Sequence, residues 1–344
     1  MVVEAPGALR ASRCEVKLSA KQASSSSSTV RARQASETRA RSIEEVKSRT
    51  TKMPERVEEF DRGTLFLSGG GFKVVMFLGA LRRLQQWPFK RFVGVSAGAF
   101  VACMLAAGHT PDELVTLVTE DAGWRTLMRQ EISLHYTRPL LRRGAVQKLV
   151  GRFLELKGVP MGVSLAEFSD QRRPFRALAL DVDGARLVGL DAMTAPGMRV
   201  VDAVAASMAV PGIVPAVRWK GHYYVDAAVV NNCPLSLCGD ARDLFAIIMN
   251  PTAFTNRSNV MSLFFERCSF LSHATVWTHI RKSSVLIMPQ PATDMLSGRP
   301  EVLKELLDLG ERSLLMYTHR RLMLGMFVLL LTASFHDYLK DDGL

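Results

Sequence analysis

Short apolar runs alternate with longer amphipathic or small-residue stretches from residue 63 onward. TLFLS and KRFVGV have the length and the apolar content of buried strands, and each leads through a glycine-containing turn into a stretch of helical character, KVVMFLGALRRLQQW and AGAFVACMLAAG. Gly108 is placed to end the second helix. This repeated order of strand, turn and helix predicts an α/β fold with a central, mostly parallel sheet flanked by helices.

The rest of the chain predicts further elements of the same kinds. TPD at 110–112 is typical of a helix N-cap followed by proline in the first turn. FRALALD and ARLVGLD are predicted strands joined by a turn at 182–184, followed by a small-residue helix around 200–207 and by the short aromatic strand HYYVD. LFAIIMN and VLIMP predict two more buried strands, and the chain is predicted to be helical from Glu301.

Residues 1–58 differ in composition from the rest of the chain. They contain a run of five serines, few aromatic residues and a net charge of +5 out of the chain's +11. Such a segment cannot bury enough apolar surface to fold, so it predicts a disordered basic tail, although its Arg and Ser content leaves a transit peptide open. We therefore expect three regions: the tail 1–58, a main folded domain 59–312, and a helical, apolar carboxy-terminal segment 313–344.

The cysteines and histidines predict neither a disulfide framework nor a metal site. The five cysteines are odd in number and lack a C-x-x-C pair, and the seven histidines are dispersed. This distribution favours a reducing, intracellular setting, and we expect no metal and no cofactor. The basic excess lacks the aromatic-interleaved stripe of a nucleic-acid binder, so no nucleic-acid partner is expected, whereas the same charge suits an anionic lipid surface.

One apolar segment near the carboxy terminus allows three interpretations. LMLGMFVLLLTASF, residues 322–335, carries no charge and is shorter than the roughly twenty residues that a helix needs to cross a bilayer. It could be a core helix packed on the sheet, a membrane-dipping helix flanked by His319, Arg320 and Arg321, or a true membrane span.

The segment GGGFK, Gly69 to Lys73, follows the first predicted strand. Consecutive glycines between a strand and a helix let the backbone approach a ligand closely and present N–H groups to an anion. The anion could be a phosphate or the oxyanion of an acyl-transfer intermediate. Neither G-x-G-x-x-G nor G-x-x-x-x-G-K-[ST] is complete, which disfavours a nucleotide, and a purely structural turn remains an alternative.

The segment GVSAGAF places Ser96 between Gly94 and Gly98, after the second predicted strand. A chain of this length contains G-x-S-x-G by chance about one time in ten. The predicted strand before the serine and helix after it are the context that exposes a nucleophilic hydroxyl at a helix start. A serine that merely caps a buried helix explains the pattern nearly as well.

A third segment, ASMAVPGIVP followed by HYYVDAAVVNNCP, carries Asp226 at the end of the aromatic strand. From that position the carboxylate can point into a cleft. Taken alone, an aspartate that forms a turn is the commoner explanation.

The three segments together resemble those of patatin-like phospholipases, from about Leu65 to Pro234, and the carboxy-terminal VLKELLDLGERSL resembles the family more weakly. The resemblance implies a three-layer α/β fold unlike that of the common α/β-hydrolases. It also implies that Ser96 is the nucleophile and Asp226 the base. The same resemblance assigns the remaining residues to the oxyanion loop, Gly69, Gly70, Gly71, Phe72 and Lys73, and to the support of the serine motif, Gly94 and Gly98.

The resemblance further implies a lipid acyl hydrolase of the phospholipase A type. Such an enzyme cleaves carboxylic esters of phospholipids or other glycerolipids through an acyl-enzyme and is peripherally associated with a membrane or a lipid-droplet surface. An unperturbed aspartate, with a pKa of about 3.9, is a weak base for a serine, so we expect burial to raise the pKa of Asp226.

Two positions depart from the family pattern and keep other functions open. Val74 stands where the family usually has glycine, and Ala227 stands where it has the first glycine after the aspartate. A lipid-binding pseudoenzyme is therefore one alternative. An acyltransferase is another, because the same acyl-enzyme can pass its acyl group to an alcohol.

A Ser-His-Asp triad is the main rival mechanism, and it requires a histidine within hydrogen-bond reach of Ser96. His109 lies about one helix length beyond Ser96, and His222 precedes Asp226 on the same predicted strand. Neither has the chain position of a triad histidine, and His273 and His279 fall in a predicted helix. We therefore expect the dyad of Ser96 and Asp226 to act without histidine.

Overall fold

Among residues 63–84, 89–121, 123–133, 139–250, 284–289 and 299–341, which the computed structural model describes, eight strands form one mixed sheet. The predicted tail 1–58, with its transit-peptide alternative, lies outside these residues. The strands are β1 Thr64–Leu67, β2 Arg91–Val95, β3 Phe175–Asp181, β4 Arg186–Leu190, β5 Val217–Trp219, β6 His222–Asp226, β7 Leu244–Met249 and β8 Ser284–Met288.

Five neighbouring strands, in the order β3-β2-β1-β7-β8, run parallel, which confirms the predicted parallel core of the sheet. The other strands add antiparallel pairs: β4 and β6 each pair with β3, and β5 pairs with β6. The link from β3 to β4 is a four-residue turn, and a connection that short can join only antiparallel neighbours.

Eight α-helices accompany the sheet in the described part of the chain. They are α1 Val75–Arg82, α2 Ala97–Ala107, α3 Pro111–Thr119, α4 Gly123–Gln130, α5 Ala145–Glu155, α6 Leu165–Gln171, α7 Val200–Ser207 and α8 Pro300–Asp341. The helix predicted after GGG starts with a 3-10 turn, Gly71–Val74, before α1 begins. A tight turn at this point keeps the backbone of the glycine segment close to the end of β1.

The predicted helix ends are confirmed around Gly108 and Thr110. Gly108 has φ 102°, a left-handed conformation that glycine adopts without steric cost, and it closes α2. Thr110 caps α3, since its hydroxyl accepts from the Glu113 N–H at 3.2 Å and the Glu113 carboxylate accepts from the Thr110 N–H at 2.8 Å. This reciprocal pair satisfies two of the backbone donors that a helix start leaves open.

Alternate side chains of the central strands enter two separate apolar clusters. Leu65 and Leu67 belong to the larger cluster, which contains side chains of α1, α2, α5 and α7, whereas Phe66 belongs to the smaller one with Cys233 and Leu235. Since neighbouring side chains of a strand point to opposite faces, both faces of the sheet are buried. The apolar sequence of β1 is a consequence of this burial on both sides.

The first half of α8 is part of the core. A Cβ at Gly79 of α1 would collide with the backbone of Leu307, and a Cβ at Gly310 would collide with the backbone of Met76. The two glycines therefore allow the two helix backbones to touch. Arg83 forms an ion pair with Glu311 at 2.7 Å beside this crossing.

The apolar segment 322–335 lies within the helical backbone of α8, and its side chains are outside the described part. No helix in the described part of the chain combines the length and the apolar character needed to cross a membrane.

Candidate active site

Ser96 occupies a strained turn between β2 and α2. Its φ of 55° and ψ of −131° belong to a region that non-glycine residues rarely adopt, at a cost of about 1–3 kcal/mol. A Cβ at Gly94 would lie 2.5 Å from the Ala99 backbone, and a Cβ at Gly98 would collide with the backbone at the end of β1. The two motif glycines thus let α2 start against the sheet, which turns Ser96 out of the strand.

Ser207, a residue to which sequence reasoning assigned no role, fixes this turn. The Ser96 N–H donates to the Ser207 hydroxyl at 2.9 Å, and that hydroxyl donates to the Leu178 carbonyl at 2.6 Å. Ser207 is fully buried. The only sequence signal was its position in ASMAVPGIVP, which the resemblance already covered as a segment. Because the Ser96 N–H has this partner, it is not available to a substrate oxygen.

The register of β3 explains how Ser96 and Asp226 meet. β4 pairs with Ala177–Asp181 along one edge of β3. β2 and β6 each pair with some of these same residues of β3, so both must lie along its opposite edge. On that edge β2 ends with Val95 opposite Leu178, and β6 ends with Asp226 opposite the next residue, Ala179. Since β2 is parallel and β6 antiparallel to β3, the carboxyl ends of β2 and β6 face each other.

Asp226 is completely buried, and one of its two carboxylate oxygens is held by the backbone. The Ala228 N–H donates to Oδ1 at 2.8 Å, and the Asp226 N–H donates to the Ala209 carbonyl at 3.1 Å. Oδ2 is also buried, and it has no partner with full hydrogen-bond geometry among the described residues. This oxygen is therefore the one that can receive a proton.

Burial raises the pKa of Asp226 to about 7, and interactions with the Ser96 hydroxyl and with the Ala228 N–H offset part of this effect. The influence of the Ser96 hydroxyl on the pKa requires it to be near the carboxylate. Oδ2 itself has no hydrogen-bond partner among the described residues. A carboxylate with a pKa near neutrality is a far stronger base than an exposed aspartate.

The glycine segment packs directly on Ser96. A Cβ at Gly69 would lie 2.9 Å from the Ser96 Cβ and 2.7 Å from Asn232 Oδ1. The Gly69 N–H donates to Asn232 Oδ1 at 2.7 Å, and Asn232 Nδ2 donates to the Gly69 carbonyl at 3.1 Å. Asn232 is a second residue to which sequence reasoning assigned no role, although NNCP belongs to the segment that carries Asp226.

The backbone N–H groups of the glycine segment differ in whether they already have an acceptor. The Gly69 N–H already binds Asn232, whereas those of Gly70, Gly71 and Phe72 donate to no acceptor among the described residues. Gly71 has φ 56°, a left-handed conformation that turns the chain into the 3-10 turn. Lys73, within this turn, is buried. Three adjacent N–H groups that follow Gly69, the residue packed on Ser96, can bind an anionic oxygen.

The two departures from the family pattern fit their positions. Val74 has φ −62° and ψ −13°, an ordinary helical conformation. Ala227 is fully buried and is not among the described residues with positive φ. Neither position therefore requires the conformational freedom of glycine in this chain.

Two of the histidines considered for a triad have other partners. His109 is buried, with Nε2 2.9 Å from the Phe153 carbonyl oxygen, and His222 Nδ1 lies 3.0 Å from Asp181 Oδ1. His273 and His279 lie outside the described residues. Burial lowers the pKa of His109 and favours its neutral form.

In the described part of the chain, one group of potential metal ligands lies close enough to share a cation. Its ligand atoms lie within 4.8 Å of one another and belong to Asp181, Asp183 and His222. Their carboxylates already accept from the Gly184 N–H at 3.0 Å and from the Tyr223 N–H at 2.6 Å. The donation from Gly184 contributes most to lowering the pKa of Asp181. These contacts account for the cluster as a hydrogen-bonded turn at the end of β3.

Known proteins are similar to this chain over about half of its length. The model of the family described as patatin-like phospholipase matches residues 65–238, just over half of the chain. "Uncharacterized protein YqhO" of Bacillus subtilis (strain 168) is 28% identical over 198 residues, and "Probable lipid hydrolase 463L" of Invertebrate iridescent virus 6 is 23% identical over 180 residues. Each match covers 51% of this chain and less than two thirds of the relative, 66% and 62%.

Solved structures give more distant similarities. VipD from Legionella pneumophila is 16% identical with a TM-score of 0.47, over 75% of this chain and 67% of VipD. Full-length ExoU from Pseudomonas aeruginosa, in complex with SpcU, is 16% identical with a TM-score of 0.43, over 76% of this chain and 53% of that chain.

Proposed function

Since this chain belongs to the patatin-like phospholipase family, we propose that it is a lipid acyl hydrolase in which Ser96 is the nucleophile and Asp226 the base. One observation carries the proposal: Ser96, on its strained turn, lies beside a buried carboxylate whose pKa is about 7 and whose Oδ2 has no hydrogen-bond partner in the described part of the chain. A serine next to such a base is activated for attack on a carbonyl carbon.

The first half of the reaction forms an acyl-enzyme. Ser96 Oγ attacks the ester carbonyl carbon while its proton passes to Asp226 Oδ2. The electron pair of the carbonyl π bond moves to the oxygen, which accepts hydrogen bonds from the N–H groups of Gly70, Gly71 and Phe72. When the intermediate collapses, the carbon–oxygen bond to the leaving alcohol breaks and Asp226 returns the proton to that alcohol.

The second half releases the fatty acid. Water attacks the acyl carbon and gives its proton to Asp226, the oxyanion forms again on the same donors, and the bond to Ser96 Oγ breaks as that oxygen recovers the proton. Both halves use one base and one set of backbone donors. Each oxyanion donor of this kind contributes on the order of 3 kcal/mol to stabilisation of the transition state.

The family suggests the substrate class, and the charge of the chain suggests the surface of action. The family description supports a phospholipid or another glycerolipid, cleaved in the manner of a phospholipase A. The net charge of +11 supports action at a membrane or lipid-droplet surface by an intracellular, peripherally bound protein. No nucleic-acid partner is part of this proposal.

The test uses purified full-length protein with a mixture of labelled phospholipids and neutral glycerides, together with Ser96→Ala. Ser236→Ala is the matched control, because Ser236 is exposed and lies outside the site. We expect free fatty acid from the parent and the control and none from Ser96→Ala. Turnover that persists undiminished in Ser96→Ala would end the assignment of the nucleophile.

Two other results of the same experiment favour the alternatives. Vesicle binding without turnover in any variant favours a pseudoenzyme. Acyl groups recovered on an added alcohol in place of water favour an acyltransferase, since both reactions pass through the same acyl-enzyme.

A further inference from the structure

A basic cavity of about 320 Å³ lies between the start of α5 and the segment that leads into β5. Five of its lining residues are cationic and one is acidic. They are Arg142, Arg143, Lys148, Arg199 and Arg218, with Asp202 as the acid. The volume is that of a small-ligand pocket. Neither Ser96 nor Asp226 lines this cavity.

Two of the cationic side chains have carboxylate partners. Lys148 pairs with Glu131 at 2.6 Å, and Arg199 pairs with Asp202 at 2.6 Å. Gln147 also donates to Asp202 at 3.3 Å. Each of these ion pairs has a net charge close to zero.

The other three cationic side chains, Arg142, Arg143 and Arg218, form no ion pair with any carboxylate in the described part of the chain. All three are exposed at the cavity. Arg218 lies over the ring of Tyr223, 5.7 Å from its centre. The cavity is thus lined by three guanidinium groups whose charge no carboxylate in the described part of the chain offsets by an ion pair.

The start of α5 adds to the positive charge around the cavity. Gly144 is the N-cap of this eleven-residue helix, and no side chain caps it. The positive end of the helix dipole, with its open N–H groups, therefore faces the region that Arg142 and Arg143 line. The cavity combines fixed backbone donors with charged side chains.

We propose that this cavity binds the phosphate group of an anionic ligand. Guanidinium groups donate paired N–H bonds in a planar fork that fits phosphate oxygens, which makes arginine the preferred residue for this group. The ligand is either the headgroup of an anionic phospholipid in a lipid surface or a soluble phosphate ester. The site is separate from the catalytic dyad, and the proposal holds whether or not Ser96 is the nucleophile.

The backbone links the cavity to Asp226. The Ala209 carbonyl accepts a hydrogen bond from the Asp226 N–H. The segment that follows Ala209 reaches the cavity wall at Val214 and continues into β5. β5 pairs with β6, which ends at Asp226. The wall of the cavity and Asp226 therefore belong to strands that are hydrogen-bonded to each other.

The test compares two doubly substituted full-length proteins. Arg143→Gln with Arg218→Gln removes two charges from opposite walls of the cavity, and Arg242→Gln with Arg312→Gln removes two exposed charges elsewhere, 85% and 74% accessible at their side chains. Both pairs carry Ser96→Ala in the binding measurements, so that hydrolysis cannot alter the vesicles. The probes are phosphatidylcholine vesicles with and without phosphatidylglycerol, by co-sedimentation, and glycerol 3-phosphate, by equilibrium dialysis.

We expect the cavity variant to bind the anionic probe at least about tenfold more weakly than the parent, since two charge-assisted hydrogen-bonding groups are lost, and the control to stay within about twofold. Binding of phosphatidylglycerol vesicles alone identifies the lipid source, and binding of glycerol 3-phosphate alone identifies the soluble source. The proposal is overturned if the parent binds neither probe, or if both variants lose binding equally.

Hydrolysis of a short, neutral, soluble ester by the same variants with Ser96 intact separates this result from the proposed function. We expect unchanged hydrolysis in both pairs, because neither touches the dyad. If no protein hydrolyses the ester, the proposed function fails, while the binding comparison still decides on the cavity.

Discussion

Asn232 holds Gly69 through both ends of its amide, with the Gly69 N–H 2.7 Å from Oδ1 and Nδ2 3.1 Å from the Gly69 carbonyl. Gly69 in turn lies against the Cβ of Ser96. Because Asn232 follows Asp226 in the same segment, one amide fixes the position of Gly69 relative to both Ser96 and Asp226. We regard Asn232 as a positioning residue.

Asn232→Ala is expected to lower kcat by about tenfold or more with little change in KM. Without the amide, the glycine loop loses its fixed orientation, and misplaced donors stabilise the oxyanion poorly. Steady-state kinetics on a soluble ester measure the effect, and Asn231→Ala, which removes the acceptor for the Cys233 N–H, is the control. A fall in thermal stability with unchanged kcat would mean that Asn232 is merely structural.

Asp226→Asn is expected to reduce kcat at least about a hundredfold, the usual contribution of a positioned general base. Asparagine keeps the shape of the side chain and its acceptor for the Ala228 N–H but cannot take the proton. His109→Gln and His222→Gln should leave kcat largely intact, since both rings bind other partners. If either histidine proved as indispensable as Ser96 while Asp226→Asn stayed active, a triad would replace the dyad.

The activity should depend on the ionisation of Asp226. Because the pKa of this carboxyl is about 7 in the folded protein, the base is ionised above that pH and protonated below it. We expect kcat/KM to rise with pH through about 7 and to level off above it. A pH profile with a soluble ester measures this dependence, and activity retained undiminished at pH 5 would contradict the role of Asp226.

The same carboxyl should reduce stability at high pH. Its pKa is raised from an ordinary 3.8 to about 7, so the folded state binds the proton more tightly than the unfolded state, and stability is lost as pH rises between these two values. Asp226→Asn removes this penalty and is expected to be more stable than the parent at pH 8, by up to about 4 kcal/mol. Denaturant unfolding at pH 8 and pH 4 measures the difference, which should be several-fold smaller at pH 4.

Removal of the residues from Arg320 onward should weaken binding to vesicles more than hydrolysis of a short soluble ester. The buried core residues of α8 extend to Leu314, and Tyr317 contacts Phe245 with ring centres 6.4 Å apart, so the truncated chain keeps these residues. In the full-length protein, the apolar segment 322–335 is then available to bind a lipid surface. Unfolding of the truncated protein, seen by circular dichroism, would show that the segment is core.

The sequence by itself determined the local elements that carry Ser96 and Asp226. The strand, glycine turn and helix around Ser96, the end of α2 at Gly108 and the capping box of Thr110 depend on residues within a few positions of one another, where periodicity and backbone preference act. The resemblance of the three segments to those of a known family was sufficient to indicate the family. For the same reason the parallel half of the sheet could be predicted from its alternation of strands and helices.

Only the tertiary structure decided how distant segments meet. That Val95 and Asp226 face consecutive residues of β3 is a matter of strand register, which long-range pairing sets and no local pattern encodes. The same holds for Ser207 and Asn232, whose partners lie 111 and 163 positions away in the chain. The pKa of Asp226 and the charge of the cavity also depend on these contacts, because burial and neighbouring charges arise only once the chain has packed.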